Sequence, residues 1–289
     1  MRDKRQVAEN FNAAAQAYDS IAVLQHTVAH RVLERLDLIK ISPATILDIG
    51  SGTGRAAKLL ARRYKGARIF QTDLAYSMLR HAKLNDRRFF TRQLFVCADA
   101  EAMPYQSGVF DMVYSNLMLQ WCNDVDVVFR EIQRSTKEEG LFIFSSFGPD
   151  TLKELKQSFS GVDQDVHVND FLDMHDLGDA LLQAGFENPV METEYFTLTY
   201  DDAISVFREL NKLGAGNTNT GRRRTLMGKG RLQKAIDNYE AYRLDGRIPA
   251  TFEVVYGHAW IKRNQLKQYS AKGTVSVPVA SIRRRGERQ

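Results

Sequence analysis

The sequence predicts an α/β fold: a mostly parallel, seven-stranded sheet with helices on both faces. Three observations carry that prediction. Between residues 45 and 146, five short apolar runs alternate with stretches of helical periodicity, the rhythm of a parallel sheet covered by helices. A glycine-rich turn follows the first run, where a strand feeds directly into a helix. Two longer strand-like runs, 189–200 and 251–261, lie beyond the alternation and bring the count to seven. With 289 residues and 44% hydrophobic composition, the chain buries a core without disulfides or metals.

Residues 5–39 read as helix, with Val7, Phe11, Ala14, Ala15 and Tyr18 on one face and Val28, Val32, Leu33 and Leu36 continuing the spacing. Ser42-Pro43 breaks the pattern. Strands are expected at 45–49, 67–72, 94–98, 110–115 and 140–146, their near-continuous apolar runs marking burial on both faces. Helices are expected at 55–64, 75–84 and 125–135 between them. After Gly148-Pro149 the spacing predicts a helix over 150–159 capped by Asp150, a loop at 167–171 and a helix over 176–184 stopped by Gly185. A strand over 189–200, helices at 201–213 and about 230–242, and a strand over 251–261 follow, with a Gly/Asn/Thr loop at 214–221. Residues 264–289 have little periodicity and read as a basic tail.

The net charge of +5 conceals an asymmetry, because residues 205–289 hold 18 Lys/Arg against 6 Asp/Glu while the rest is acidic. A basic third suits an acidic partner, a nucleic acid or a membrane surface, or is simply a solvated face. Nucleic acid is disfavoured, since the Arg cluster lacks the interleaved aromatics on which bases stack. No apolar run reaches membrane-spanning length and the N-terminus has no signal-peptide pattern, so a cytoplasmic protein is expected. Cys97 and Cys122 are expected to be buried thiols rather than a disulfide pair.

The chemistry begins at Ile46-Leu47-Asp48-Ile49-Gly50-Ser51-Gly52-Thr53-Gly54. A dinucleotide turn has G-x-G-x-x-G spacing and points its helix at a pyrophosphate. Here the spacing is G-x-G-x-G, and Asp48 would repel a pyrophosphate but suits a ligand bearing an amino group and a sulfonium. The next strand ends at Asp73, where a carboxylate reaches ribose hydroxyls, and Leu74 and Met78 beyond it can cover an adenine face. Asp99 after the third strand can accept from the adenine amine, the Ala100 N–H can serve a ring nitrogen, and Ser115 ends the fourth strand beneath the expected sulfonium. Asp73 and Asp99 taken singly are equally well explained as helix caps. Their order at successive strand ends points to S-adenosylmethionine, with no metal ligands needed.

Asp48–Gly54, Asp73 and Asp99 together resemble the class I S-adenosylmethionine-dependent methyltransferases, a Rossmann-like fold. That resemblance implies that the last strand runs antiparallel, inserted beside the fifth. Methyl transfer from a sulfonium is a direct displacement, so the enzyme chiefly aligns its reactants. His26, His30, His81, His167, His175 and His258 are scattered, with no His-Asp or Cys-His pairing, so no general base is expected and a carboxylate acceptor fits. Arg222, Arg223 and Arg224 are candidates to orient such a group, or form a solvated basic turn.

A longer set of motifs narrows the family. These are Phe11-Asn12-x-Ala14-Ala15-x-x-Tyr18-Asp19, Leu24-Gln25, Ser115-Asn116-Leu117-x-Leu119-Gln120-Trp121, Phe147-Gly148-Pro149-Asp150-Thr151-Leu152, Asp173-Met174-His175-Asp176, Gly221-Arg222-x-Arg224 and Pro249–Trp260. From about residue 5 to 262 the chain resembles the malonyl-[acyl-carrier-protein] O-methyltransferases of biotin synthesis. The resemblance implies methylation of the free malonyl carboxylate on a phosphopantetheine-bound carrier protein. It makes acidic acyl carrier protein the partner of the basic third, with Arg222–Arg224, Lys229, Arg231 and Lys234 as landing surface and neither nucleic acid nor membrane involved. Tyr18, Asn116 and Trp121 become substrate-binding candidates, although Tyr18 and Trp121 are equally core aromatics. It also divides the chain into a helical lid (1–43), a methyltransferase domain (44–263, with a helical insertion at about 200–250) and the tail. A mitochondrial complex I assembly factor that hydroxylates arginine shares the motifs at 147–155 and 249–251, and a non-catalytic cofactor-binding module is the third reading.

Overall fold

The computed structural model describes residues 1–86, 93–163, 165–213 and 228–262. Strand β1 (Thr45–Ile49) is buried at all five positions and lies at the centre of the five parallel strands. β2 (Arg68–Asp73) and β3 (Gln93–Cys97) add parallel to one side of it, β4 (Phe110–Asn116) and β5 (Thr136–Phe147) to the other. The chain reverses its direction of travel between β1 and β4, and the crevice beyond the carboxyl ends there is where such sheets take ligands. β7 (Ile248–Ile261) is antiparallel and lies between β5 and β6 (Phe186–Tyr200), giving the order β3-β2-β1-β4-β5-β7-β6. The seven-stranded sheet and the inserted antiparallel strand are therefore as expected.

Helices α4 (Arg55–Arg63), α5 (Tyr76–Asn85) and α6 (Val125–Ser135) cross between the parallel strands. One apolar cluster on one sheet face joins Ile46, Met112 and Tyr114 to Val28 and Val32, and a second on the other joins Leu47, Val113 and Phe142 to Phe129 and Leu181. β3 departs from the both-faces-buried expectation because it is an edge strand, half-exposed along its length. Cys97 at its end is exposed, whereas Cys122 is buried; both are free thiols.

The helix expected over 5–39 is three helices: α1 (Lys4–Ala14), α2 (Tyr18–Ile21) and α3 (Val23–Arg35), with a 3₁₀ turn at Leu36–Leu38. A straight helix cannot serve both of its apolar surfaces. Ala15, with Phe11 and Tyr18, packs against Ala75 and Met78 of the α5 region, while Leu24, Val28 and Val32 of α3 enter the main core. The break falls where the Ala17 N–H bonds back to the Ala14 carbonyl at 3.0 Å.

Beyond β5, α7 (Lys153–Phe159) starts later than expected and Asp150 does not cap it. Leu152 precedes it at φ +56°, and the Asp150 carboxylate accepts from the Tyr195 hydroxyl at 3.2 Å. α8 (Met174–Gln183) starts two residues early because Asp173 caps it, accepting from the His175 and Asp176 amides. β6 takes in Pro189 at a register shift between Glu187 and Val190, which its edge position permits. α9 (Ala203–Lys212) and α10 (Lys229–Glu240) pack as a small layer with α7. Among the described residues, no helix is long and apolar enough to cross a membrane.

Candidate functional site

The carboxyl ends of β1, β2 and β4 open into a cavity of about 890 Å³, counting its mouth, roofed by α1 and α2. Gly50 and Gly52 make its floor possible. Gly50, at φ +70°, passes so close to Met118 that a Cβ would lie 2.4 Å from that side chain, and its N–H bonds to the Thr72 carbonyl. Gly52, at φ +53°, has nothing within 4 Å of where a Cβ would stand, so its backbone faces open space. Gly54 caps α4 in the left-handed region and lies beneath the site against Gln71 and Ala82.

The three carboxylates stand in different states. Asp48 is 1% exposed, with Oδ2 lacking a partner among the described residues. Burial, reinforced by the nearby Asp73, pushes its carboxyl up to about 8, against the pull of the Ala57 N–H. Asp73 accepts the Gly52 N–H on one oxygen and the Ala75 N–H on the other, both at 2.8 Å. Burial raises its pKa, while those amides and that of Leu74 oppose the rise. Asp99 accepts from Lys4 Nζ at 2.8 Å and from the Glu101 N–H at 3.0 Å. Lys4 also reaches Glu101 at 2.9 Å, and although burial works against its charge, Asp99 and Glu101 raise its pKa.

Leu74, Met78, Asp99 and Ala100 line the cavity with Asp73, Gly50 and Gly52. Asp48 and Ser51 line a narrower extension of about 420 Å³ that shares Tyr18, Gln25, Gly50, Gly52 and Asn116 with it. Ser115 departs from expectation. The pleat of β4 turns its side chain down, where its hydroxyl donates to the Ile49 carbonyl at 3.2 Å, fully buried and off the cavity wall. Arg222, Arg223 and Arg224 lie outside the described residues.

Tyr18 lies over the floor, its pKa raised first by burial and then by Asp73 and Asp19. Trp121 meets Phe11 edge-on, the ring centroids 5.1 Å apart. Asn116 donates to the Gln25 carbonyl at 3.1 Å and accepts from the Ser145 hydroxyl at 2.9 Å, tying the β4 end to α3. His26, one of the scattered histidines for which no pairing with an Asp was expected, lines the Asp48 extension with Nε2 3.6 Å from Asp19.

A second cavity of about 580 Å³ adjoins the first, walled by apolar residues from α2, α3, α9, β6 and β7, among them Ile21, Leu24, Leu198, Leu210 and Phe252. The two share Gln25, Gln120, Trp121, Phe147 and Leu213. The second has no Lys or Arg among its described lining residues, and its one acid, Glu209, accepts from the Tyr200 hydroxyl at 2.9 Å. Sequence reasoning singled out neither Lys4, Gln25 nor Gln120 for chemistry. Both glutamines fell inside the longer motifs, and Lys4 carried no signal beyond its place at the start of an amphipathic helix.

The arrangement fits S-adenosylmethionine. Asp48 offers an unpartnered oxygen to a cationic group, Asp73 keeps lone pairs for two hydroxyls, and Leu74, Met78 and Ala100 supply apolar surface beside Asp99 for a base.

Comparison with known proteins agrees. A family model described as "Methyltransferase domain" matches residues 47–144. A malonyl-[acyl-carrier protein] O-methyltransferase of Gallionella capsiferriformans is 51% identical over 89% of this chain and 91% of its own. One of Halorhodospira halophila is 44% identical over 98% and 96%. Among solved structures, Bacillus YcgJ aligns over 81% of this chain and 99% of its own, at 15% identity and a TM-score of 0.59. Haemonchus contortus phosphoethanolamine N-methyltransferase 2 with S-adenosyl-L-methionine aligns over 81% and 52%, at 18% identity and 0.52. At those identities the two structures speak to the fold.

Proposed function

The chain belongs to the malonyl-[acyl-carrier protein] O-methyltransferase family, and on that premise we propose that it transfers a methyl group from S-adenosylmethionine to the free carboxylate of a malonyl thioester on acyl carrier protein. The product is the malonyl methyl ester at the start of biotin synthesis. The observation that carries this reading is the joining of an acid-lined cofactor cavity to a second, mostly apolar one, without Lys or Arg among its described lining residues, across a shared wall.

Bound S-adenosylmethionine supplies an electrophilic methyl on a positive sulfur. The chain's residues hold and align the partners. Asp48 faces the cofactor's cationic end, Asp73 takes the ribose hydroxyls, Asp99 and the Ala100 N–H take the adenine edge, and Gly50 to Gly52 let the ligand approach the backbone. Residues 1–43 act as a lid, in which Phe11 and Tyr18 of α1 and α2 exclude water from the reacting groups. The acceptor is ionised at neutral pH, so no side chain has to remove a proton. Trp121, Phe147 and Leu213 wall the path along which the short acyl arm reaches the methyl.

The carrier is acidic, and Lys156 stands beside the wall of the second cavity. It lies over the ring of Phe171, a wall residue, at 5.8 Å, and Lys234 of α10 reaches the Gly161 carbonyl at 3.3 Å. With Lys229, Arg231 and Arg222–Arg224 they form the proposed landing surface, so docking weakens as salt rises. The high identity to carboxyl methyltransferases over nearly the whole chain favours this reading over arginine hydroxylation. The test is incubation with malonyl-loaded carrier and methyl-labelled cofactor. A base-labile methyl ester is expected, at a rate that falls with ionic strength; no transfer despite cofactor binding would overturn the substrate.

A further inference from the structure

Gln25 occupies a position that no other described residue shares. It lines the cofactor cavity, the Asp48 extension and the second, apolar cavity. The sulfonium methyl has to face its acceptor where those three spaces converge. The backbone there is fixed, because the Gln25 carbonyl accepts from Asn116, which is itself held by Ser145. Its side-chain amide, by contrast, has a buried oxygen with no partner among the described residues. Gln120, the other glutamine on the shared wall, likewise has a buried oxygen without a partner among the described residues, but its amide nitrogen is committed to the Leu117 carbonyl at 2.6 Å. Gln25 is therefore the polar group on that wall free to reorient toward a ligand.

Resting on the function proposed above, we infer that the Gln25 amide receives the substrate carboxylate and sets its angle of attack. A half-turn about the last side-chain bond exchanges the amide's oxygen and nitrogen, presenting N–H donors to an anion. A neutral donor suits this task. A guanidinium would grip the carboxylate more tightly, but by pairing with its charge would hold back the electrons that form the new bond. The described walls of the second cavity contain no cation to compete for the group. Lys4, the cation on the cofactor cavity, is held by Asp99 and Glu101.

The test compares wild type with Gln25→Leu and Gln25→Glu, using malonyl-loaded carrier and labelled S-adenosylmethionine, with cofactor affinity measured separately by calorimetry. Losing a hydrogen bond to a charged group predicts a fall in kcat/KM of about 10- to 100-fold in Gln25→Leu. Cofactor Kd stays within about threefold. Gln25→Glu places a second anion beside the substrate and falls further at pH 8, with partial recovery toward pH 5.5 as the new carboxyl is protonated; a spacer role would give no such charge dependence. Gln25→Leu activity within about threefold of wild type, or a parallel loss of cofactor affinity, overturns the inference. A wild type that turns over malonyl-carrier alongside an unimpaired Gln25→Leu sinks only the role of Gln25. A wild type silent on malonyl-carrier sinks both.

Discussion

Replacing Asp48 by Asn isolates the charge that burial holds off at the cofactor end of the site. In the free protein the Asp48 carboxyl titrates near 8, pushed there by burial and by the neighbouring Asp73. Folding therefore takes up a proton that the unfolded chain, with an ordinary carboxyl near 3.8, releases. The sign follows from linkage. The native state binds more protons than the unfolded state between those values, so this residue's contribution to stability falls as pH rises and levels off above about 8. Asn has no proton to bind, so the difference between variant and wild type reports Asp48 alone. Over pH 6 to pH 9 the variant should gain about 2–3 kcal/mol relative to wild type, from about 1.4 kcal/mol per tenfold change in acidity. Denaturant melts at those two pH values measure it.

Cofactor binding reverses the balance. A cation beside Asp48 Oδ2 favours the carboxylate, so binding near pH 7 should release close to one proton, and the wild-type affinity should tighten with pH up to about 8. Calorimetry in two buffers of different ionisation enthalpy reads the proton directly. A stability difference that stays flat with pH, together with binding that releases no proton, would refute the assignment of an uncharged Asp48 in the free enzyme.

Three other perturbations test separate parts of the site. Asp73→Ala removes a carboxylate that accepts from both Gly52 and Ala75, and should weaken cofactor binding by about a hundredfold in calorimetry while carrier binding persists. Gly50→Ala sets a Cβ 2.4 Å from Met118 at φ +70° and should cost about 2 kcal/mol in a denaturant melt. Adding Met118→Ala removes the Cγ contact but keeps a Cβ 2.6 Å from the new one, so it should restore only part of the cost and leave the rest of the clash and the backbone strain. Lys4→Met removes the α1 ion pairs to Asp99 and Glu101, whose side chains are partly exposed, so stability should move by less than about 1 kcal/mol. Cofactor dissociation in stopped flow should nonetheless speed up severalfold; an unchanged off-rate would mean that α1 does not hold the lid closed.

Legibility in the sequence followed the range of the interaction. The inner parallel strands were visible because burial on both faces leaves a near-continuous apolar run, the edge strand β3 by its apolar residues alone, and β1 and α6 match their expected limits residue for residue. The single helix expected over 5–39 failed because helical spacing records that a face is buried but not what buries it. The break at Ala15–Ala17 exists only because α1 and α3 answer to different neighbours. Ser115 failed similarly, since strand-end position indicates the ligand side of a sheet while the pleat decides which residue faces up. The Asp series was readable because each acid sits at a place that topology alone defines. Gln25 was not, because its significance is the meeting of three cavities formed by segments distant in sequence.

The contrast between the two cavities has a catalytic meaning of its own. Transfer from a sulfonium to a carboxylate turns one cation and one anion into two neutral products, so charge separation shrinks along the path. A polar, cation-rich acceptor site would stabilise the reactants more than the transition state and slow the step. The described walls of the second cavity are mostly apolar and carry no Lys or Arg, and those it shares with the cofactor cavity are Trp121, Phe147 and Leu213 apart from two neutral glutamines. Such a surround withholds solvation from the carboxylate while leaving it free to attack. The acids at the far end act in the opposite sense. On the proposed function Asp48 and Asp73 would favour the cation's arrival, and because burial holds the Asp48 carboxyl protonated near neutral pH, the site would not present its full negative charge to an anionic substrate. On the proposed function the fold separates the task of attracting the methyl donor from the task of leaving the acceptor reactive, with Gln25, which lines both cavities, at the boundary between them.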